Sequence, residues 1–373
     1  MYQNDAFYHF FKSVPLPYSI FTFPKESASI KHKNPALFFC NKMRADLNVA
    51  ILEKYGFTKE KNAMICHVLI GRRFSDEQLQ TLNDFQKCCH FSNIELIGTK
   101  LEFHNRMKEL SQRLGTPVPF SPLSFYPPVD FEQLSQLWKS RKLWIIKAPA
   151  LSRARDIRLA SSATDEAPNI PYIIEEYISN PFLITGRKFD IRLYAVITSI
   201  NPLVIYFHNE GLVLFAANEY NENGDISNLQ MHLTNYEINK NSPKFKECEG
   251  INEKVENSKW SLAFLWQYFE NQGINSTQLR QNIENAATSA LIAGMCAIRK
   301  EHLKNIKNHR KSSFEFVGVD ILLDSNLNPY VLEINISPSM LGTSELDKKI
   351  KIEVGTDLYN IVRIFDVSAA RPN

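Results

Sequence analysis

The chain has 373 residues, of which 44% are apolar and 22% are charged, and this composition excludes a disordered or fibrous protein. Its length predicts two or three packed units. The 43 Lys and Arg residues nearly balance the 40 Asp and Glu residues, so general nucleic-acid binding is not expected. The balance is uneven, because residues 1–150 carry a net charge of +7 and the remainder −4. The basic front half suggests an acidic partner.

Membrane, secretory and disulfide-rich classes are also disfavoured. No apolar run reaches the roughly 18 residues that a membrane span needs, so no membrane partner is expected. The first residues lack a basic segment followed by an apolar one, which argues against a secretory signal. Six cysteines without C-x-x-C spacing or clustered histidines argue against zinc and disulfides and for a reducing, cytoplasmic compartment.

The first part of the chain predicts a small α/β subdomain over residues 36–114. Strands are expected at 36–40 and 64–70, and helices at 46–55 and 75–87, whereas residues 1–35 remain unassigned. Residues 115–129 contain five prolines, which cannot occupy a helix interior or a central strand. This segment is predicted to be a linker.

The strands that follow the linker are long and strongly apolar. The predicted strands are 143–147, 172–178, 189–199, 203–208 and 212–216. Two helices are expected next, one over 258–272 and one with Ser276 as its N-cap. A hairpin of strands 314–324 and 329–336 closes this part. We divide it into a central subdomain, 130–185, and a C-terminal subdomain, 186–365.

The closing hairpin carries Asp320 on its first strand and Glu333 and Asn335 on its second. Strand periodicity places Glu333 and Asn335 on one face, and antiparallel pairing brings Asp320 beside them. Two carboxylates and an amide oxygen are hard ligands, suited to Mg²⁺. The alternative is a polar, solvated sheet face. The apolar flanking residues make the two interpretations about equally credible.

Three further clusters could bind a nucleotide. Lys188, Asp190 and Arg192 alternate along one strand face, where two cations around a carboxylate suit a phosphate or a substrate carboxylate, although exposed ion pairs would give the same pattern. Lys147 ends a strand and could contact phosphate, although no Walker A motif is present. The strand 173–178 leads into an acidic pair that could meet adenine and ribose.

The order of these motifs resembles that of an ATP-grasp enzyme. The segments GRKFDIRLY, NPLVIYFHNEGLV, MHLTNYEINK and FVGVDILLDSNLNPYVLEINISPSM are, more closely, similar to the tubulin–tyrosine ligase-like family. NPFLITGRKFDIRLY followed by LEINISPSM is most similar to its polyglutamylase branch. The resemblance implies an α+β, ATP-grasp architecture that holds the nucleotide between the central and C-terminal subdomains, after the small N-terminal α/β subdomain.

The resemblance also implies a chemistry. The chain would use ATP and Mg²⁺ to add glutamate to glutamate side chains of acidic tubulin tails through an acyl phosphate, in the cytoplasm at the cytoskeleton, cilium or basal body. Asp320, Glu333 and Asn335 would hold Mg²⁺. The nucleotide would meet Lys100, Lys147, Arg153, Glu175, Glu176, Tyr177, Ile178, Lys188 and Asp190. Arg192 would neutralise the transferred phosphoryl group, with Lys188, and Thr234 and Asn235 would line the amino-acid side.

Three regions of the chain depart from the family pattern. Ala154 and Asp156 replace two loop glycines, and Leu214 stands where an arginine is usual. Glu175 and Glu176 replace a glutamine followed by a basic residue. These changes raise a second hypothesis, a catalytically weak or inactive relative that binds tubulin or microtubules. A third keeps the ligase but exchanges glutamate for tyrosine or glycine.

Overall fold

The computed structural model describes residues 19–25, 32, 36–41, 46–83, 85–149, 156–306 and 311–366. Its strands in the first half are β1 Ser19–Ile20, β2 Ala36–Asn41, β3 Phe57–Glu60, β4 Val68–Gly71, β5 Lys87–Cys89, β6 Ser124–Phe125, β7 Leu143–Lys147, β8 Ile157–Ser161 and β9 Ile173–Glu176. Those of the second half are β10 Leu183–Ile184, β11 Arg187–Ile200, β12 Leu203–Phe207, β13 Leu212–Phe215, β14 Lys259–Ser261, β15 Ser313–Leu323, β16 Pro329–Ile336 and β17 Phe365–Asp366.

The helices surround and connect these strands. They are α1 Leu47–Lys54, α2 Asp76–Gln80, α3 Glu95–Gly98, α4 Lys100–Leu114, α5 Pro127–Leu137, α6 Leu229–His232, α7 Tyr236–Asn239, α8 Leu262–Asn271, α9 Ser276–Asn305 and α10 Glu345–Val362. Short 3₁₀ turns occur at Ala63–Ile65 and Trp138–Ser140. None of the helices in the described ranges has the length and apolarity required to cross a membrane.

An eleven-stranded sheet forms the main body. Its path runs β14-β13-β11-β15-β5-β4-β2-β3, with β10 and β12 paired to β11 and β16 paired to β15. Strands β2 to β5 pair in parallel, and β4 is buried along its whole length, as expected for parallel strands covered on both faces. The parallel pairing of β5 with β15 joins these strands to the antiparallel half.

Helices cover both faces of this large sheet. On one face α8 and α9 pack against inward residues of β11, including Phe189 and Ile191. On the other face α1 and α10 pack against β11 residues such as Tyr194 and Val196. One strand therefore contributes to two cores, because alternate side chains of a strand point to opposite faces. The fold is α+β, as predicted.

A separate four-stranded antiparallel sheet has the order β6-β9-β7-β8. Every residue of β7 is buried, and its Trp144 ring stacks on Trp138 with centroids 5.4 Å apart. β7 has the bounds that the sequence predicts, because it is a continuous apolar run. The two sheets provide the walls of the candidate site.

Several predicted boundaries were wrong for identifiable reasons. The helix expected over 75–87 is confined to α2, and the strand expected over 64–70 begins at Val68 after a 3₁₀ turn. The helix expected from 258 begins at Leu262, because the preceding three residues pair as β14 with β13. Asn275, not Ser276, is the N-cap of α9. The proposed linker overlaps α5, since Pro127 can occupy the first turn of a helix.

Candidate active site

A cleft of ≈ 970 Å³ lies between the four-stranded sheet and the large sheet. The small sheet contributes Lys147 and Glu175 to its wall, and residues 176–178 continue that wall. The large sheet contributes the polar side chains of β11, β15 and β16. The cleft thus brings together side chains from both predicted ATP-grasp subdomains and from α4.

Strand β11 supplies one row of cleft residues through its alternation. Lys188, Asp190 and Arg192 line the cleft, whereas Phe189 and Ile191 are buried in the hydrophobic core on the opposite face. This placement is the one that the period of two predicts. The alternative of an exposed, solvated edge is wrong, because β11 is paired on both sides and Lys188 is 6% exposed.

Arg192, Asp320 and Glu333 form a row across three adjacent strands. Arg192 lies opposite Asp320 on β15, and Asp320 lies opposite Glu333 on β16. Arg192 donates from Nε and Nη2 to the two carboxylate oxygens of Asp320, the second at 2.7 Å. Burial would lower the pKa of Arg192, but the attraction of Asp320 raises it overall. Arg192 is therefore a fixed, permanently charged group.

Asn335 connects the two carboxylates of this row. Its side-chain N–H₂ donates to Asp320 and to Glu333, each at 3.0 Å. Lys100, the first residue of α4, places its ammonium 3.5 Å from Glu333. The predicted convergence of Asp320, Glu333 and Asn335 is thus confirmed as geometry. Their role as metal ligands stays a prediction.

The protonation of the two carboxyls differs because their neighbours differ. Burial would raise the pKa of Glu333, but Lys100 and the Asn335 amide, helped by two further cations, lower it to about 2. Burial raises the pKa of Asp320 to about 6, and Glu333 adds to the rise although Arg192 opposes it. Two adjacent carboxylates in one buried site repel each other, and a divalent cation would relieve this repulsion.

Lys147 and Lys188 approach each other from the two walls. The Lys147 ammonium lies 2.5 Å from Glu175 Oε1 on the neighbouring strand β9. The Lys188 ammonium donates to the carbonyl of His232 at 3.0 Å and lies 4.8 Å from the centroid of the Tyr177 ring. Burial lowers the pKa of Lys188, with Asp190 acting in the opposite direction. Lys147 also lowers the pKa of Lys188 through charge repulsion, so the two ammonium groups interact across the cleft.

Asp190 keeps one carboxylate oxygen free of protein hydrogen bonds. Thr234 donates its hydroxyl proton to Oδ2, whereas Oδ1 is buried without a hydrogen-bond partner in the part of the chain that the structure describes. Burial raises the pKa of Asp190, opposed by Lys188. Asn235 accepts the backbone N–H of Glu237 and so caps α7. The turn at 234–235 is thereby fixed beside β11.

The segment 175–178, which the sequence analysis predicts to contact the nucleotide, is more constrained than the sequence suggested. The side chain of Glu175 is engaged by Lys147, and that of Glu176 accepts from Arg141 at the rim. The backbone N–H groups of Glu176 and Tyr177 donate to the carbonyls of residues 123 and 143. If this segment contacts a base, it would have to do so through its other backbone atoms, and Ile178 lies in the cleft wall.

Besides Glu175 and Glu176, two departures from the family pattern lie among the described residues. Asp156 has a left-handed φ of 59°, a conformation that glycine adopts without cost, and it accepts a hydrogen bond from Tyr172. Its carboxylate is therefore engaged outside the cleft lining. Leu214 lines the cleft and lies between Asp190 on β11 and Lys259 on β14. Arg153 and Ala154 fall outside the described residues.

Sequence reasoning missed several polar residues of the cleft. They include Tyr194, Lys259, Asp347 and Lys351. Two signals could have found part of this set. Tyr194 continues the alternation of β11 beyond Arg192, and Asp347 and Lys351 have the i,i+4 spacing of a helical ion pair. Nothing local indicated Lys259, because it was assigned to a helix rather than to a strand facing the cleft.

Comparison with known proteins identifies the family. The model of the tubulin-tyrosine ligase family matches residues 75–370. The chain is 34% identical over 295 residues to tubulin monoglutamylase TTLL4 of Mus musculus, covering 78% of this chain and 25% of the relative. It is 32% identical over 318 residues to tubulin polyglutamylase TTLL5 of Homo sapiens, covering 84% of this chain and 25% of the relative.

A third relative, the probable beta-tubulin polyglutamylase of Tetrahymena thermophila, is 33% identical over 284 residues, covering 74% of this chain and 24% of the relative. The chain thus spans about a quarter of the length of these relatives. The match over most of the chain, together with the cleft, shows that this protein belongs to the tubulin-tyrosine ligase family.

Proposed function

We propose that this chain is an ATP- and Mg²⁺-dependent ligase that adds glutamate to glutamate side chains of tubulin tails. The observation that carries the proposal is the composition of the cleft. Lys147, Lys188 and Arg192 provide cations, and Asp320 and Glu333 provide carboxylates on the same sheet face as Arg192. Cations suit phosphate oxygens and clustered carboxylates suit Mg²⁺, so a nucleotide triphosphate fits both.

The donor set at β15 and β16 fits Mg²⁺. Asp320 and Glu333 offer carboxylate oxygens, and Asn335 offers its amide oxygen if the amide group turns over. Burial, with a smaller contribution from Glu333, raises the pKa of Asp320, and a bound divalent cation would stabilise the ionised carboxylate. When bound, Mg²⁺ would neutralise charge on phosphate oxygens.

The proposed reaction has two steps. An acceptor γ-carboxylate attacks the γ-phosphorus of ATP, which forms an acyl phosphate and releases ADP. The amine of free glutamate then attacks the acyl carbon, loses a proton, and displaces inorganic phosphate. Arg192 and Lys188 stabilise the charge on the transferred group, and Lys147 and Lys100 hold the phosphates. Thr234 and Asn235 line the part of the cleft in which the free amino acid binds.

The remaining nucleotide contacts follow from the two walls of the cleft. We assign adenine and ribose to Glu175, Glu176, Tyr177 and Ile178, with Asp190 orienting its neighbours or the ribose. Arg153 would approach the phosphates. In this proposal residues 130–185 and 186–365 are the ATP-grasp subdomains, and 36–114 with the linker 115–129 precede them.

The assignment of the substrate and the partner rests on the named relatives and on the net charge of the first part of the chain. The relatives are named tubulin glutamylases, which supports glutamate and the acidic tails of tubulin or microtubules as substrates. The net charge of +7 on residues 1–150 favours encounter with an acidic chain, an effect that weakens with salt. We therefore propose a cytoplasmic location at the cytoskeleton, including the cilium or basal body.

Leu214 supports the second candidate, a weak or inactive relative that binds tubulin. A neutral side chain occupies the row between Lys259 and Asp190, where the family usually has a cation. The retained row Arg192, Asp320 and Glu333 favours the active enzyme, because a site that had lost its function would not need these buried charges, which are costly to desolvate.

The deciding experiment supplies microtubules, ATP and Mg²⁺ with radiolabelled glutamate, glycine or tyrosine in separate reactions. The proposal expects label from glutamate alone, released by a treatment that cleaves glutamyl bonds. Arg192→Lys serves as the reaction-deficient control. Incorporation of labelled glycine or tyrosine would mean that the ligated amino acid is that one and not glutamate. Nucleotide binding without any label would favour the inactive relative.

A further inference from the structure

A second group of buried charges lies in the same cleft, beyond Arg192. Lys259 on β14 and Lys351 on α10 both line the cleft and are only 7% and 6% exposed. Lys351 lies 3.0 Å from Oδ1 of Asp347 and also donates to the carbonyl of Leu341 at 2.7 Å. Lys259 lies 3.7 Å from Oδ2 of Asp347.

Thr343 completes the framework that holds these charges. Lys259 donates to its hydroxyl at 2.8 Å, and that hydroxyl donates to Asp347 at 2.9 Å. The Lys259 ammonium also lies 5.1 Å from the centroid of the Tyr236 ring. Each ammonium therefore has a fixed position, which is what a binding site requires and what a solvated surface lysine lacks.

The buried charges in this group do not cancel. Two buried lysines face one buried aspartate, whereas Arg192 is already paired with Asp320. Asp46, which is only half-buried, also interacts with Lys351. The other carboxylate that acts on Lys259, Glu247, is exposed to solvent. Burial lowers the pKa values of Lys259 and Lys351, so their charged forms are held at a cost. An anionic ligand would remove that cost.

Tyr194 offers a hydrogen-bond donor to the same ligand. Its side chain is fully buried at the cleft, and its hydroxyl has no hydrogen-bond acceptor among the residues that the structure describes. Tyr194 follows Arg192 on the same face of β11, and Arg192, Asp347 and Asp320 all influence the pKa of its hydroxyl. Arg192 donates toward this hydroxyl, and a buried hydroxyl whose own proton lacks an acceptor is costly unless a ligand supplies one.

We infer that Lys259 and Lys351, fixed by Asp347 and accompanied by Tyr194, form a carboxylate-binding subsite for a substrate of the ligase. The inference rests on the proposed function, in which every substrate except ATP is a carboxylic acid. The reacting carboxylate belongs at Arg192 and the phosphates. A carboxylate that must not react needs a separate cation, and the two lysines provide it. Its source is either free glutamate or the acceptor chain.

The test uses Lys259→Gln, which removes the charge, and Lys259→Arg, which keeps it. Lys87→Met is the matched control, because Lys87 is also a buried lysine but lies outside the cleft. Each protein is titrated calorimetrically with free L-glutamate and with a synthetic hexaglutamate peptide, with and without Mg²⁺ and a non-hydrolysable ATP analogue. The affinity for the analogue is measured in parallel.

We expect Lys259→Gln to lower the affinity for one of the two ligands by about tenfold or more, which is the effect of losing one charge-assisted hydrogen bond. Weaker glutamate binding would assign the subsite to the free amino acid, and weaker peptide binding to the acceptor. Lys259→Arg and Lys87→Met should stay within about threefold of the wild type, and all four proteins should bind the analogue alike.

Unchanged affinity of Lys259→Gln for both ligands would overturn the subsite. So would the absence of any carboxylate binding in a wild-type protein that binds the nucleotide. Failure of the wild type to bind the nucleotide would instead count against the proposed ligase function. The titrations without nucleotide then still decide whether Lys259 binds a carboxylate.

Discussion

Arg192 donates hydrogen bonds to both carboxylate oxygens of Asp320, its direct neighbour across the β11–β15 pair. A guanidinium can make this forked contact because its N–H groups are planar and fixed, whereas an ammonium cannot. The contact keeps Arg192 in the cleft and orients Asp320 beside Glu333. Arg192 thus links the proposed phosphoryl-transfer site to the proposed metal site.

Replacement of Arg192 by lysine should lower the rate of ligation far more than the affinity for ATP. The variant keeps the positive charge but loses the forked contact that positions it. Loss of one preorganised charge-stabilising group costs about 10²- to 10³-fold in kcat. Steady-state kinetics with saturating ATP would measure the loss, and nucleotide titration would measure binding. Equal fold losses in kcat and in the affinity for ATP would contradict a role that is specific to the transferred phosphoryl group.

Gly318 gives Arg192 the space that its side chain occupies. A Cβ atom at this position would lie 2.9 Å from Arg192 Cδ and 3.2 Å from Pro338 Cβ. Gly318→Ala should therefore displace the guanidinium from Asp320 and reduce ligation by roughly 10-fold or more, as misplacement of a catalytic group does. The melting temperature should fall only slightly, since the guanidinium is the end of a flexible side chain. Wild-type turnover in this variant would contradict the argument.

Glu333→Gln should weaken binding of Mg²⁺·ATP. The substitution removes the carboxylate that Lys100 and Asn335 hold ionised. We expect a loss of about 10-fold or more in affinity, and a higher Mg²⁺ concentration for half-saturation. Binding of ATP in EDTA should not weaken, because one repulsive charge is removed. Glu132→Gln, on the exposed face of α5, is the control. Unchanged affinity for Mg²⁺·ATP would disprove the metal assignment.

The sequence predicted those parts of the site that lie on single strands or on adjacent strands. The placement of Lys188, Asp190 and Arg192 follows from one strand period, and the meeting of Asp320 with Glu333 follows from a short hairpin. Both relationships are local in the chain. The apolar strand β7 was predicted for the same reason.

Relationships between distant segments could not be predicted. The pairing of β5 with β15 joins the parallel strands to the antiparallel half, and no local pattern specifies such a partner. Lys259 faces the cleft because β14 pairs with β13, yet its neighbours Trp260 and Leu262 suited a helix equally well. Its approach to Asp347 further requires α10 to pack against the sheet.

The buried Lys87 should make stability depend on pH outside the active site. Its ammonium donates to the carbonyl of Lys311 at 2.8 Å and lies 5.0 Å from the Phe365 ring. Burial lowers its pKa in the folded protein to about 8, from 10.5. Between these values the unfolded chain binds more protons than the folded one, so this group's contribution to stability becomes more favourable as pH rises.

The stability of the wild type relative to Lys87→Met should therefore rise from pH 8 to pH 10.5, by at most about 3 kcal/mol, and be level below pH 8. Chemical denaturation at half-unit pH steps measures the difference between the two proteins. Lys61→Met, which removes an exposed lysine, should show no such trend relative to the wild type. A flat difference for Lys87→Met would mean that the ammonium is not desolvated in the folded protein.

Leu214→Arg should raise turnover and strengthen binding of the carboxylate substrate. The new cation would lie in the row between Lys259 and Asp190, on the cleft face. Asp190 has a buried carboxylate oxygen that no described residue hydrogen-bonds, so it can receive the guanidinium and hold it beside the lysine group. One added charge-assisted contact to the substrate would change affinity by about 10-fold.

Leu214→Gln, which adds polarity without charge, separates the effect of the cation from the loss of the leucine. Kinetics with glutamate and microtubules would give kcat and KM for all three proteins. Lower turnover in Leu214→Arg than in the wild type would show that the active site of this chain functions with leucine at this position. Leu214 would then be no evidence of lost activity.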